Sequence, residues 1–179
     1  MLTRAFADDP LYHWLLRRES TRERYASRFF AWQLRRLLPQ QQVTMTTDGA
    51  AVALWALPDR WRETVREALR LFVAIVPAMV TYMPSVVRGL NQADRRHPTQ
   101  PHLYLALLGC DPPAQGQGRG SAALAPGLAL ADRDGLPAYL ETSLERNIDF
   151  YARFGFRVVD EVRMPGGGPA LWMMWREHR

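Results

Sequence analysis

Apolar and polar positions alternate along this chain in distinct rhythms, and each rhythm implies an element. Leu103 to Cys110 is an uncharged, largely apolar run of strand length. Gln42 to Thr47 and Ala50 to Leu57 flank Asp48-Gly49, a dipeptide suited to the tight turn between antiparallel strands. Arg62 to Val76 spaces its apolar residues as an amphipathic helix. Pro77 should stop or kink that helix, because proline lacks an amide donor and crowds the preceding turn. Ser20-Thr21-Arg22-Glu23 reads as a capping box opening a helix to about Leu38. Leu2 to Phe6 reads as the end of a helix, closed by Asp8-Asp9-Pro10. Pro84 and Arg95-Arg96-His97-Pro98 fall in the connection to Leu103. A helix over Gly118 to Asp134, a strand over Ala138 to Ser143 and a short helix carrying Asn147 follow. Two last strands turn at Gly166-Gly167-Gly168, the first of them running from Arg157 to Val162. No internal repeat or linker divides the chain, so residues 1–179 are expected to form one domain mixing helices and strands.

The polar interruption after Cys110 carries the chemistry. Gln115-Gly116-Gln117-Gly118-Arg119-Gly120-Ser121 precedes a small-residue helical run from Ala122 to Leu130. Glycines at alternate positions leave backbone amides bare at the positive end of a helix, a cradle for phosphate or pyrophosphate. A nucleoside-triphosphatase loop would need a lysine, and all 23 basic residues here are arginine. A dinucleotide fold would need Gly-x-Gly-x-x-Gly directly after its strand, with an acid about 20 residues on. Glu141 stands at a suitable distance, but the spacing is Gly-x-Gly-x-Gly and Asp111-Pro112-Pro113-Ala114 intervenes. A purely structural loop would leave three entropically costly glycines unexplained.

Further on, Asn147 and Tyr151 are four residues apart and so share one helix face, and Gly155-Phe156 ends that helix. Together these segments resemble the GNAT acetyltransferase superfamily. Its pyrophosphate loop reads Gln/Arg-x-x-Gly-x-Gly/Ala, matched by Gln115, Gly118 and Gly120, and its later segment is matched by Asn147, Tyr151, Gly155 and Phe156. Ala5 to Asp8, Asp48 to Ala53, Leu140 to Ser143 and Phe150-Tyr151 are similar to the puromycin N-acetyltransferase-like branch. That branch is expected to carry a tyrosine where this chain has Asp9.

The resemblance implies an α/β (α+β) fold with a mixed, mostly antiparallel sheet, splayed at the cofactor site and flanked by helices. Such domains usually begin with a strand, whereas this chain starts inside a helix, so the N-terminal strand is expected to be missing. The implied reaction is direct attack of a small-molecule amine on acetyl-CoA. Gln115 to Ser121 would bind the pyrophosphate, Leu108, Gly109 and Cys110 would offer a backbone amide to the oxyanion, and Asn147 would meet the pantetheine arm. Tyr151 would protonate the leaving thiolate, and Glu141 is the first candidate for the base, ahead of Asp111 and Asp9. A non-catalytic acyl-CoA sensor and a peptide N-acetyltransferase are the alternative readings.

Composition adjusts this picture only slightly. An apolar share of 47% in 179 residues supplies a core, and the formal charge of +5 suits an anionic cosubstrate. The arginines are dispersed and show no nucleic-acid module, so no nucleic-acid partner is expected. Leu71 to Met83 is too short to span a bilayer and no signal peptide is evident, so a cytoplasmic protein without membrane contact is expected. Cys110, the single cysteine, lacks an activating histidine nearby in sequence and reads as a small buried hydrophobe. His13, His97, His102 and His178 are scattered without ligand spacing, so no metal is expected. The sequence leaves a homodimer open.

Overall fold

The sheet's hydrogen-bond registers explain most of what surrounds them. In the computed structural model, which describes residues 1–40 and 42–179, six strands are arranged β1-β2-β3-β4-β6-β5. They are β1 (Val43–Met45), β2 (Ala51–Ala56), β3 (Leu103–Cys110), β4 (Ala138–Thr142), β5 (Arg157–Arg163) and β6 (Ala170–Arg176). Four neighbouring pairs are antiparallel and β3–β4 alone is parallel. The β1–β2 and β5–β6 pairs are the hairpins expected from Asp48-Gly49 and the Gly166 to Gly168 turn.

The parallel pair is short. Leu103, Tyr104 and Leu105 face Ala138, Tyr139 and Leu140, and beyond them the two strands have no common register. A bulge lies at the same level: Leu54 faces Leu107 while Trp55 faces Leu105, leaving Ala106 as the extra residue. An extra residue re-aims every side chain that follows it. Leu103 and Leu105 accordingly join one core, and Leu107 joins the core on the opposite face.

Helices α1 (Leu2–Ala5), α2 (Pro10–Leu15), α3 (Glu19–Leu37), α4 (Val65–Ile75) and α5 (Met83–Asp94) lie on the face with Leu54, Leu107, Tyr139 and Met173. Helices α6 (Arg119–Arg133) and α7 (Arg146–Ala152) cover the other, over Ala53, Trp55, Leu105 and Leu140. Helix α6 comes close because Gly127 lies under Trp55; a methyl group there would collide with the indole nitrogen. Its far end is tied down by Arg176, buried, which reaches Asp132 through two bonds of 2.8 Å and also donates to the Phe154 carbonyl.

Two proline readings need correction. Asp8-Asp9-Pro10 does not only close a helix: Asp9 caps α2, accepting from the amides of Leu11 and Tyr12, with Pro10 at its first position. Pro84 likewise sits in the first turn of α5, within the stretch read as a connection. A first-turn proline forfeits nothing, since that amide has no helical acceptor. The capping box is also misplaced. Ser20 lies inside α3, whose N-cap Arg18 makes no side-chain cap bond; the reciprocal pair is Thr64 with Glu67, opening α4.

Substitution Gly127→Ala should destabilise the protein by about 1–3 kcal/mol through overpacking against Trp55. Urea unfolding of G127A, and of G127A combined with Trp55→Leu, checks this. Most of the loss should return in the double variant, and equal losses in both would refute the contact.

Candidate active site

Where β3 and β4 part, the sheet offers backbone and side chains to a space that neighbouring strands cannot fill. A cavity of about 310 Å³ opens there, floored by Leu105 to Leu108 of β3 and by Glu141, Thr142 and Ser143. Asn147 and Tyr151 of α7 border it on one side. Leu11, Tyr12, Phe29, Trp32, Leu71 and Ile75 roof it from α2, α3 and α4. Helix α4 contributes no fully buried residue, and Val65, Leu69, Phe72 and Val73 on its outer side are exposed.

Three acidic side chains line this largely apolar space: Asp9, Glu63 and Glu141. Asp9 is buried, accepts from Ser143 Oγ at 2.8 Å and from the first amides of α2. Burial pushes its carboxyl up, and those hydrogen bonds only partly offset the rise. Burial first, and the charge of Asp9 second, hold the Tyr151 phenol well above its usual range, so it stays protonated. Glu141 accepts a hydrogen bond of 2.9 Å from the Tyr139 hydroxyl and lies 3.7 Å from His97 Nδ1. Asn147, inside α7, donates from its side-chain amide to Thr142 Oγ1 at 3.3 Å.

The glycine loop lies beyond the splay. Gly116 and Gly118 take φ of +74° and +77°, left-handed values that side chains resist, and a Cβ at either position would meet only open space. Gln115 and Gln117 turn their amides back onto the carbonyls of Cys110 and Pro113, which fixes the loop internally. Arg119 pairs with Asp48 at 3.0 Å, and the partly exposed first turn of α6, through Gly120 and Ser121, carries amides with no helical acceptor. Leu108 borders the cavity; Gly109 is overlaid by Leu2, which would stand 2.5 Å from a Cβ added there.

Of the weaker base candidates, Asp111 is remote, held by two bonds from Arg4 that lower its carboxyl. Burial pushes the Cys110 thiol up, away from nucleophilic reactivity. Nothing in linear spacing joins His97 to Glu141 or Ser143 to Asp9, and only the fold brings them together. Among the described residues no group of three or more potential ligands could hold a metal. Nor is any single helix among them long and apolar enough to cross a membrane, although Val65–Ala78 and Val80–Asp94 pass together as a pair bent by 97°.

The open mixed sheet parts at its one parallel seam, beside a glycine loop and a helix N-terminus, and the family match over residues 9–156 makes the protein an acyl-CoA-dependent N-acyltransferase. The chain belongs to the acetyltransferase (GNAT) family, whose sequence pattern matches residues 9–156. Members of that family use acetyl-CoA. The chain is similar to a structure from Corynebacterium glutamicum described as histone acetyltransferase HPA2 and related acetyltransferase. Identity is 26% and the TM-score 0.71, over 99% of this chain and 87% of that one. Arylalkylamine N-acetyltransferase 2 from Aedes aegypti shares the fold at 14% identity and a TM-score of 0.59, over 99% and 91% of the two chains.

The raised carboxyl of Asp9 has a signed consequence. A folded pKa above the unfolded value means its contribution is largest below about pH 4 and is lost as pH rises through the folded value. Asp9→Asn keeps a capping oxygen but no charge, so its stability relative to wild type should improve as pH rises from about 4 to 6. Urea midpoints across that range decide; a constant difference would contradict the burial-driven rise.

Proposed function

We propose that this protein transfers an acetyl group from acetyl-CoA to the amine of a small molecule that has an apolar or aromatic body. The observation that carries this reading is one cavity, at the parting of β3 and β4, bordered by both Glu141 and Tyr151. Acetyl-CoA would supply the activated thioester carbonyl. The amides of Gly116 to Ser121 suit its pyrophosphate, since two left-handed glycines and a helix N-terminus turn bare donors outward. Amides of Leu108 to Cys110, on the edge of β3 without a β4 partner, are the candidates for the oxyanion.

Glu141 takes the proton that an ammonium must lose before its nitrogen can attack. One of its oxygens is engaged by Tyr139, and no protein hydrogen bond involves the other among the described residues. Tyr151, kept protonated by burial, returns a proton to the leaving thiolate. Asn147, bonded to Thr142, has capacity left for the pantetheine arm or a water. The carboxylates of Asp9 and Glu63 favour a cationic acceptor, and the apolar roof favours burial of its hydrocarbon part. Helices α2 to α4 close over this space, which suits a compact acceptor better than an extended peptide.

The Tyr151→Phe variant should lose about 10²–10⁴ in kcat toward an amine such as phenethylamine, with acetyl-CoA affinity intact by calorimetry. An unchanged kcat would remove Tyr151 from the reaction. A variant Gly118→Val forces a branched side chain into left-handed backbone and should weaken acetyl-CoA binding about tenfold or more. If G118V melts like wild type and binds acetyl-CoA equally well, the loop is not the cosubstrate site.

A further inference from the structure

Next to the cavity lies a pair of buried histidines. His97 and His102 place their Nε2 atoms 3.0 Å apart, and His102 Nδ1 lies 2.7 Å from the Gln100 carbonyl. A carbonyl oxygen can only accept, so His102 carries its proton on Nδ1. Burial lowers the His102 pKa, the Gln100 bond offsetting only part of it, which favours the neutral ring. Neutral His102 therefore presents a bare Nε2, and the facing Nε2 of His97 must carry a hydrogen.

That direction has an outcome at the cavity. With its hydrogen on Nε2, neutral His97 turns a bare Nδ1 toward Glu141 Oε1, 3.7 Å away. A lone pair facing a carboxylate is repulsive. One added proton converts the contact into a hydrogen bond or an ion pair, and 3.7 Å is already ion-pair distance. Trp61 stacks on the His97 ring with centroids 3.5 Å apart and planes at 19°, a favourable face for a cation. The rings of Tyr104 and Tyr139 face the pair, their phenols held protonated chiefly by burial; Asp59 acts on His102, while Glu63 and Arg36 act on Tyr104, and Asp160, paired with Arg96, acts on Tyr139.

We propose that His97 is the proton partner of Glu141 in acetyl transfer, with His102 fixing the tautomer that makes it so. The proposal rests on the amine acetyltransferase reading above. Glu141 takes one proton from the bound ammonium, and the neutral nitrogen then bonds to the acetyl carbon; as the C–S bond breaks, Tyr151 protonates the thiolate and recovers its proton from the nitrogen's second N–H. Glu141 passes a proton to His97 Nδ1, giving an imidazolium paired with carboxylate. After product leaves, the proton returns through Glu141 to solvent in the opened cavity. No other reactant is needed. His97 and His102 act through Glu141 and are positioning residues in this scheme.

Two measurements test it. Ring nitrogen NMR of the unliganded protein from pH 5 to 9 should show His102 neutral with hydrogen on Nδ1, and a His97 titration that Glu141→Gln alters. A His102 hydrogen on Nε2, or a His97 titration indifferent to E141Q, overturns the proposal without any assay of activity. The second is the pH dependence of kcat with acetyl-CoA and saturating phenethylamine. In His97→Gln the acid limb should move to lower pH, as kcat falls tenfold or more and KM stays nearly constant. An unmoved limb means that His97 is structural, and the proposal fails. If wild type acetylates no amine while the NMR pattern holds, the acetyl-transfer reading fails and the proton pair stands.

Discussion

A sheet that cannot pair across its own middle is the constraint from which the site follows. The β3–β4 ladder ends at Leu105 and Leu140, and the bulge at Ala106 turns the remaining half of β3 onto a different core. Unpaired strand edges inside a protein must find partners or be given to a ligand. Here the helices arch over the parting instead of filling it, so polar backbone and the ends of β4 and α7 look into one space. Glu141 is the first residue of β4 beyond the shared register, and its position is a direct product of that parting.

The two sides of the sheet contribute differently. On one, small residues of α6 let the helix settle close to Trp55, and the Asp132–Arg176 pair anchors its end, so the glycine loop is carried on a firmly seated helix. On the other, polar groups meet the cavity through hydrogen bonds from Ser143 to Asp9 and from Tyr139 to Glu141, with His97 3.7 Å from the same carboxylate. Positioning of this kind costs burial of charge, which shows in the raised carboxyl of Asp9.

What the sequence made legible was local. The Asp48-Gly49 hairpin, the glycine loop ahead of α6, and the Asn147 to Phe156 segment each depend on residues within a few positions, and their elements appear where expected. Fold class followed from the family resemblance that the glycine loop and the Asn147 to Phe156 segment carry. Helices α2 and α5 were hidden because a proline inside a run signals a stop as readily as a start, and only the cap geometry at Asp9 decides. The β3 bulge left no trace, since Ala106 sits in an unbroken apolar run and its role exists only against β2. The meeting of His97, His102 and Glu141 was likewise invisible: the chain passes through all of β3 and α6 between His102 and Glu141.

The loose seating of α4 bears on what the cavity can accept. Its inner side chains Leu71 and Ile75 form part of the roof, while its outer side meets no neighbour that would hold it fixed. The strands below are locked by ladders on nearly every residue. One wall of the pocket is thus compliant and the other stiff. An acceptor in this cavity would meet α4 on one side and the laddered strand that carries Glu141 on the other, so tolerance for substrate size and placement of the reacting groups fall to separate parts of the molecule.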